Sequence, residues 1–145
     1  MNTNSQASAF LALAVMLGSP PALSADTASD AAQVKLQASS MVEVKAIVQK
    51  TGGYKPTDVE ISSTAHQMTI AIINGKLNTA GIVEREAEAT QMVTAIARAI
   101  VGKTEFSLLS VIHVDYVSRQ GKKIKPVQRT DFYKSPAGVF VLHKT

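Results

Sequence analysis

Length, composition and charge place this chain among small globular proteins. It has 145 residues, of which 46% are hydrophobic and 18% charged, and its formal net charge is +4. That length fits one domain, and that composition is too apolar for a disordered chain. The sequence contains no cysteine, which excludes disulfides, thiol catalysis, and zinc or iron–sulfur sites held by thiolates.

The positive charge is concentrated near the C-terminus. Seven of the 15 lysines and arginines lie from Arg119 onward, where Asp131 is the one acidic residue. A local excess of positive charge favours anionic partners. The C-terminal quarter is therefore where the sequence predicts an electrostatic binding surface.

The N-terminal 25 residues carry no charged side chain. Within them, residues 9–17 form the apolar run AFLALAVML, and Pro20 and Pro21 follow it. A short apolar core, a helix-breaking segment and small residues before a cleavage point are typical of a secretory signal peptide. We therefore predict that residues 1–25 are a cleavable signal peptide. Cleavage is predicted after Ser24 or Ala25, in a region that comprises Ala22, Ser24 and Ala25.

The alternative interpretations of this segment are a short membrane anchor and a disordered tail. An apolar run of residues 9–17 is much shorter than the roughly 20 residues that a bilayer-spanning helix needs. We therefore predict a periplasmic or secreted protein with no transmembrane anchor after processing.

The rest of the chain is predicted as a flexible lead, residues 26–33, and one domain, residues 34–145. Apolar residues recur at helical spacing in residues 34–50, and Gly52 and Gly53 end that helix. A second helix is predicted over residues 84–101.

The second helix has the clearest pattern in the chain. Asn78 or Thr79 is predicted to cap it, while Arg85 and Arg98 are expected to lie off its buried face. Three glutamates near its positive end are expected to be exposed and to interact with the helix dipole: Glu84, Glu86 and Glu88. The buried stripe is predicted to consist of Ala89, Met92, Val93, Ile96 and Ile100.

Five strands are predicted from alternating or β-branched segments. Residues 58–63 and 68–73 form a hairpin before the second helix, and a meander follows that helix over residues 106–119, 127–134 and 139–143. Two amphipathic helices suit one face of such a sheet. The predicted fold class is therefore α+β: a two-layer sandwich, with two helices packed on one face of a mainly antiparallel sheet of about five strands.

The predicted order of elements over residues 34–117 is helix, hairpin, helix, strand. The hairpin has the sequence VEISSTAHQMTIAIINGKL, and the second helix has the sequence EREAEATQMVTAIARAIVGK. Gly75 follows the hairpin, and Gly102 precedes the next strand. In these features residues 34–117 resemble the BON domain, a small α+β module of bacterial envelope proteins. The resemblance implies a non-enzymatic role, with binding to phospholipid surfaces or to other envelope proteins. The connection from Leu77 to Glu84 is longer than that family's, and two further strands follow the matching stretch.

Three polar residues are candidates for chemistry on the sheet face opposite the helices. His113 and Asp115 lie two apart on one predicted strand, so their side chains point the same way at roughly 7 Å spacing. His143 could approach them from the last strand. One interpretation is an acid–base or metal site, and the other is a set of solvent-facing polar side chains. No HExxH or GxSxG motif accompanies them.

The predicted turn after residue 119 is strongly basic. One interpretation is an anion-binding tip, and the other is a solubilising loop that also discourages strand pairing at the sheet edge. Nucleic acid is not a predicted partner, because no aromatic residue lies among these lysines to stack on bases. The candidate binding residues are Arg119, Lys122, Lys123, Lys125 and Arg129.

The sequence thus favours an exported, non-enzymatic binding module of the cell envelope without a cofactor or a metal. The expected partners are an anionic phospholipid, a wall polymer or an envelope protein. The alternative is a small hydrolytic or metal-dependent enzyme that uses His113, Asp115 and His143. A third hypothesis is a protein that binds a partner through its terminal strand, residues 139–145, by edge pairing.

Overall fold

The computed structural model describes residues 23–144, and within the first helix it describes the side chains of Ala32, Lys35 and residues 37–52. Ala22 lies outside the described residues. The side chains of Ser24 and Ala25 do too. The signal peptide and its cleavage point therefore stay predictions.

Two α-helices frame the chain. Helix α1 spans Leu23–Gly52 and α2 spans Ile82–Ile100. Helix α1 begins before the predicted residue 34 and includes the predicted flexible lead. The reason is that no proline or glycine interrupts the chain between Leu23 and Gly52, so helical hydrogen bonding can continue through the small polar residues.

Five strands form one sheet in chain order, β1-β2-β3-β4-β5. All neighbouring pairs are antiparallel except β2 and β3, which are parallel. A parallel pair needs a long crossover, and α2 supplies it. The strands are β1 Val59–Ser63, β2 Gln67–Ile73, β3 Val111–Gln120, β4 Lys123–Lys134 and β5 Phe140–His143.

Both helices pack on the same face of this sheet, as the sequence predicted. The stripe predicted for α2 is buried, and it meets alternate side chains of the strands, including Ile70, Val114 and Phe132. Val44 and Val48 of α1 complete the core. The fold class is confirmed: a two-layer α+β sandwich with a mainly antiparallel sheet.

Three local predictions were wrong. Strand β3 begins at Val111, because Phe106 belongs to a short 3-10 helix, Thr104–Phe106, whose turn buries its ring. Strand β4 begins at Lys123, so the predicted turn is shorter. Helix α2 is capped by Gly81, with no side-chain cap, because Asn78 and Thr79 lie in the separate 3-10 helix Lys76–Thr79.

Candidate functional site: a projecting basic hairpin

The β3–β4 hairpin extends beyond both neighbouring strands. Strand β2 pairs with β3 only as far as Val117, and β5 pairs with β4 only over Asp131–Lys134. Residues 118–125 therefore form a two-stranded ribbon whose outer edges have no strand beside them. Gly121 makes the tight turn at its end with φ +58, a left-handed conformation that glycine adopts without steric strain.

The five predicted binding residues separate into two groups. Arg119 donates two hydrogen bonds to Glu60, at 2.8 and 3.2 Å, and Arg129 donates two to Asp115, both at 2.7 Å. Such paired guanidinium–carboxylate contacts satisfy both charges within the protein. The two arginines therefore hold the base of the ribbon and leave little net charge for a ligand.

The pKa shifts at these two ion pairs agree with their geometry. The hydrogen bonds that Arg119 donates lower the pKa of the Glu60 carboxyl group, and those that Arg129 donates to Asp115 raise the pKa of Arg129. Both shifts favour the charged form of the group concerned, the Glu60 carboxylate and the Arg129 guanidinium. Sequence reasoning missed the first pair, because Glu60 lies on β1, which is separated from β3 by β2.

The second group consists of lysines at the end of the ribbon. Lys122, Lys123 and Lys125 are exposed, and within residues 23–144 none of them lies within ion-pair distance of a carboxylate. Ile124 lies between two of them and is 58% exposed. We call residues 122–125 the basic tip. It combines three uncompensated ammonium groups with one exposed apolar side chain.

The polar residues predicted for the open sheet face lie there, but each has its own partner. His113 Nδ1 lies 2.6 Å from Asp131 Oδ1, and Asp115 is held by Arg129. The His143 ring contacts that of Tyr133 edge-on, with centroids 5.2 Å apart. The three side chains therefore do not converge on one point.

Asp131 is the residue that sequence reasoning missed on this face. It lies opposite His113 across β3 and β4, and opposite His143 across β4 and β5. Directly opposed residues on antiparallel strands have adjacent side chains. Counting the register outward from the hairpin turn could have found it, although a bulge near Val117 shifts that count.

A buried polar cluster under α2 was also missed. Glu88 accepts hydrogen bonds from the hydroxyls of Tyr54, at 2.6 Å, and Tyr116, at 3.0 Å. Arg85 donates to the backbone carbonyl of Leu77 at 3.1 Å and to that of Ala80. Both charged side chains are buried, so the predictions that Arg85 lies off the buried face and Glu88 is exposed were wrong.

Burial has a direct consequence for the two tyrosines of this cluster. Desolvation, together with the neighbouring Glu88 carboxylate, raises the pKa of Tyr54 and that of Tyr116 well above the usual range. Both hydroxyls therefore stay protonated and can donate hydrogen bonds. Since they connect α2 to β3 and to the segment after α1, the cluster stabilises the fold.

Neither a metal-binding group nor a membrane-spanning helix is found in the part of the chain that the structure describes. Among residues 23–144, no group of three or more His, Asp or Glu side chains is arranged to hold a metal ion. In that same range, neither α-helix has the combination of length and apolar sequence needed to cross a bilayer.

No protein-family model, curated protein or solved structure matches this chain. The resemblance to the BON domain therefore stays a prediction.

Proposed function

We propose that this protein is an exported, non-enzymatic binding module that attaches to anionic phospholipid surfaces through the basic tip. The observation that carries the proposal is the projection of Lys122, Lys123 and Lys125, without carboxylate partners in the described chain, beyond the body of the sheet. Residues 1–25 support the periplasmic or secreted location through their signal-peptide pattern.

The composition of the basic tip suits a membrane surface better than a soluble anion. Each lysine near an anionic membrane contributes about 1 kcal/mol, or about fivefold in affinity. Ile124, at 58% exposure, can enter the boundary between headgroups and acyl chains and bury apolar surface there. Together they predict weak, reversible adhesion that depends on salt.

Co-sedimentation with lipid vesicles tests the proposal. We expect binding to vesicles of equal parts phosphatidylglycerol and phosphatidylcholine, and no binding to phosphatidylcholine alone. Raising the ionic strength from about 0.01 M to about 1 M shortens the Debye length from about 30 Å to about 3 Å and should release the protein. Equal binding to both kinds of vesicle, or retention at high salt, would contradict the proposal. Binding to insoluble wall polymer but to neither vesicle would assign a different anionic surface.

Replacement of Ile124 tests whether the apolar side chain contributes. We expect Ile124→Ser to weaken vesicle binding about threefold to tenfold, because a buried aliphatic side chain contributes about 1 kcal/mol or more. Val139→Ser removes a similarly exposed aliphatic side chain away from the tip, at 59% exposure, and serves as the control. Equal binding by the two variants would restrict the proposal to electrostatic attraction.

The alternative hypothesis of a small enzyme has one observation in its favour. The short contact between His113 and Asp131 has the geometry of a base and the carboxylate that orients it. His143 and Asp115 contribute nothing to that pair, because each contacts a different neighbour. We therefore propose the binding function in preference to an enzymatic one.

A further inference from the structure

Strand β5 forms one edge of the sheet, and a groove lies beside it. The groove lies between α2 and the start of β5 and has a volume of about 320 Å³. A neighbouring cavity of about 330 Å³ shares Ala97, Val101 and Phe140 with it and adds Lys134. We call these joined cavities the β5 groove. Its main lining residues are Val93, Ala97, Arg98, Val101, Val139 and Phe140.

The backbone of β5 is available on the side that faces the groove. The Ser135 N–H donates to the Val139 carbonyl at 2.8 Å, and Tyr133 pairs with Val141. Because backbone bonding alternates along an antiparallel strand, Phe140 and Leu142 direct their N–H and C=O groups away from β4. Within residues 23–144 these groups have no backbone partner beyond the sheet.

The apolar surface around this edge is exposed. Val101 is 78% exposed, Val139 59% and Val141 54%. Apolar side chains that flank a free strand edge are the usual elements of strand addition, in which backbone hydrogen bonds give affinity and side-chain contacts give selectivity.

Charge determines which strand the β5 groove suits. Arg98 and Lys134 line it, and in the described chain neither lies within ion-pair distance of a carboxylate. A third cation, Lys144 on the same edge, is 75% exposed and lies 3.7 Å from Glu86. A second copy of this chain would bring the same cations together and be repelled. An acidic strand would neutralise them.

We propose that β5 is a docking site for an extended, acidic and apolar segment of a partner protein, which adds to the sheet as a sixth strand. The segment would pair its backbone with Phe140 and Leu142. Its apolar side chains would cover Val101 and Val139, and its carboxylates would lie near Arg98. This surface is separate from the basic tip, so it does not depend on the lipid-binding proposal.

Two labelled synthetic peptides test the charge preference. One alternates valine with glutamate, and the other alternates valine with lysine. We expect the glutamate peptide to bind at least about tenfold more tightly in a fluorescence anisotropy titration at low salt. The double variant Arg98→Glu with Lys134→Glu should reverse that preference. Both side chains are exposed, so the variant should fold.

A variant with the same change in net charge controls for nonspecific attraction. Lys123→Glu with Lys125→Glu alters only the basic tip, so peptide binding should change by less than about twofold while vesicle binding falls. Loss of peptide binding in this tip variant would overturn the assignment to β5. It would do so without affecting the test of lipid binding, which uses a different readout.

Amide hydrogen exchange, measured by NMR, tests the strand addition itself. With saturating glutamate peptide, the amides of Phe140 and Leu142 should become protected, because they would donate to the added strand. The amide of Val141 already faces β4 and should not change. Absence of new protection at Phe140 and Leu142, equal binding of both peptides, or self-association through β5 without peptide would each overturn the proposal.

Discussion

Replacement of Glu88 by alanine should destabilise the protein by about 2–4 kcal/mol. Its carboxylate is buried and accepts from the hydroxyls of Tyr54 and Tyr116. Truncation would leave the Tyr54 hydroxyl without its acceptor. The Tyr116 hydroxyl would keep a second acceptor, the Arg85 carbonyl, at 3.1 Å. Urea unfolding followed by circular dichroism would measure the loss as a lower midpoint with an unchanged slope.

A neighbouring glutamate provides the matched control for that substitution. Glu86 lies on the same helix, is more exposed, and has only a 3.7 Å contact with Lys144. Glu86→Ala should change the free energy of unfolding by no more than about 0.5 kcal/mol, because its long contact is with an exposed lysine and such pairs contribute little. If Glu88→Ala cost no more than Glu86→Ala, the buried cluster would not stabilise the fold.

A double-mutant cycle would show that the hydrogen bond itself is responsible. Tyr54→Phe alone should cost about 1 kcal/mol. In the Glu88→Ala background the same change should be neutral or stabilising, because it removes a hydroxyl that has lost its acceptor. Additive costs would instead assign the effect of Glu88 to packing.

Reversal of the charge of the basic tip should have the largest effect on binding. We expect Lys122→Glu, Lys123→Glu and Lys125→Glu together to weaken attachment to phosphatidylglycerol vesicles about 100-fold or more. Each reversal removes an attraction of about fivefold and adds a repulsion. Since all three side chains are exposed, the free energy of unfolding should change little.

An equal change of net charge elsewhere is the control for this variant. Lys35, Lys50 and Lys55 are also exposed, and they lie on or just after α1, outside the β3–β4 hairpin. Their combined reversal to glutamate should weaken vesicle binding by only a few fold. Equal losses in the two triple variants would mean that net charge, not the basic tip, determines attachment.

The fold could be predicted from the sequence because local periodicity encodes it. The apolar stripe of α2 and the alternation in β1 and β3 indicated which faces are buried, and those faces form the core. The same periodicity, continued back from Ala89 and Met92 by one turn, reaches Arg85 and Glu88. The sequence prediction stopped at these residues because charged side chains are usually exposed.

The candidate site could be predicted only in part, because its details depend on contacts distant in sequence. The lysines of the basic tip were identified from their clustering after Gly121. Strand order and register determine the two other contacts. Arg119 binds Glu60, and His113 contacts Asp131 rather than Asp115. Arg119 comes close to Glu60 because β3 lies parallel to β2, with α2 as the connection between these two strands.

The most direct test of the lipid-binding proposal is to map the contact residue by residue. Amide chemical shifts of the labelled protein would be recorded during titration with small bicelles that contain phosphatidylglycerol. We expect shift changes and line broadening at residues 119–126, with little change on the outer surface of α1 or at β5. Changes centred on either of those surfaces, with residues 119–126 unaffected, would contradict the assignment of membrane binding to the basic tip.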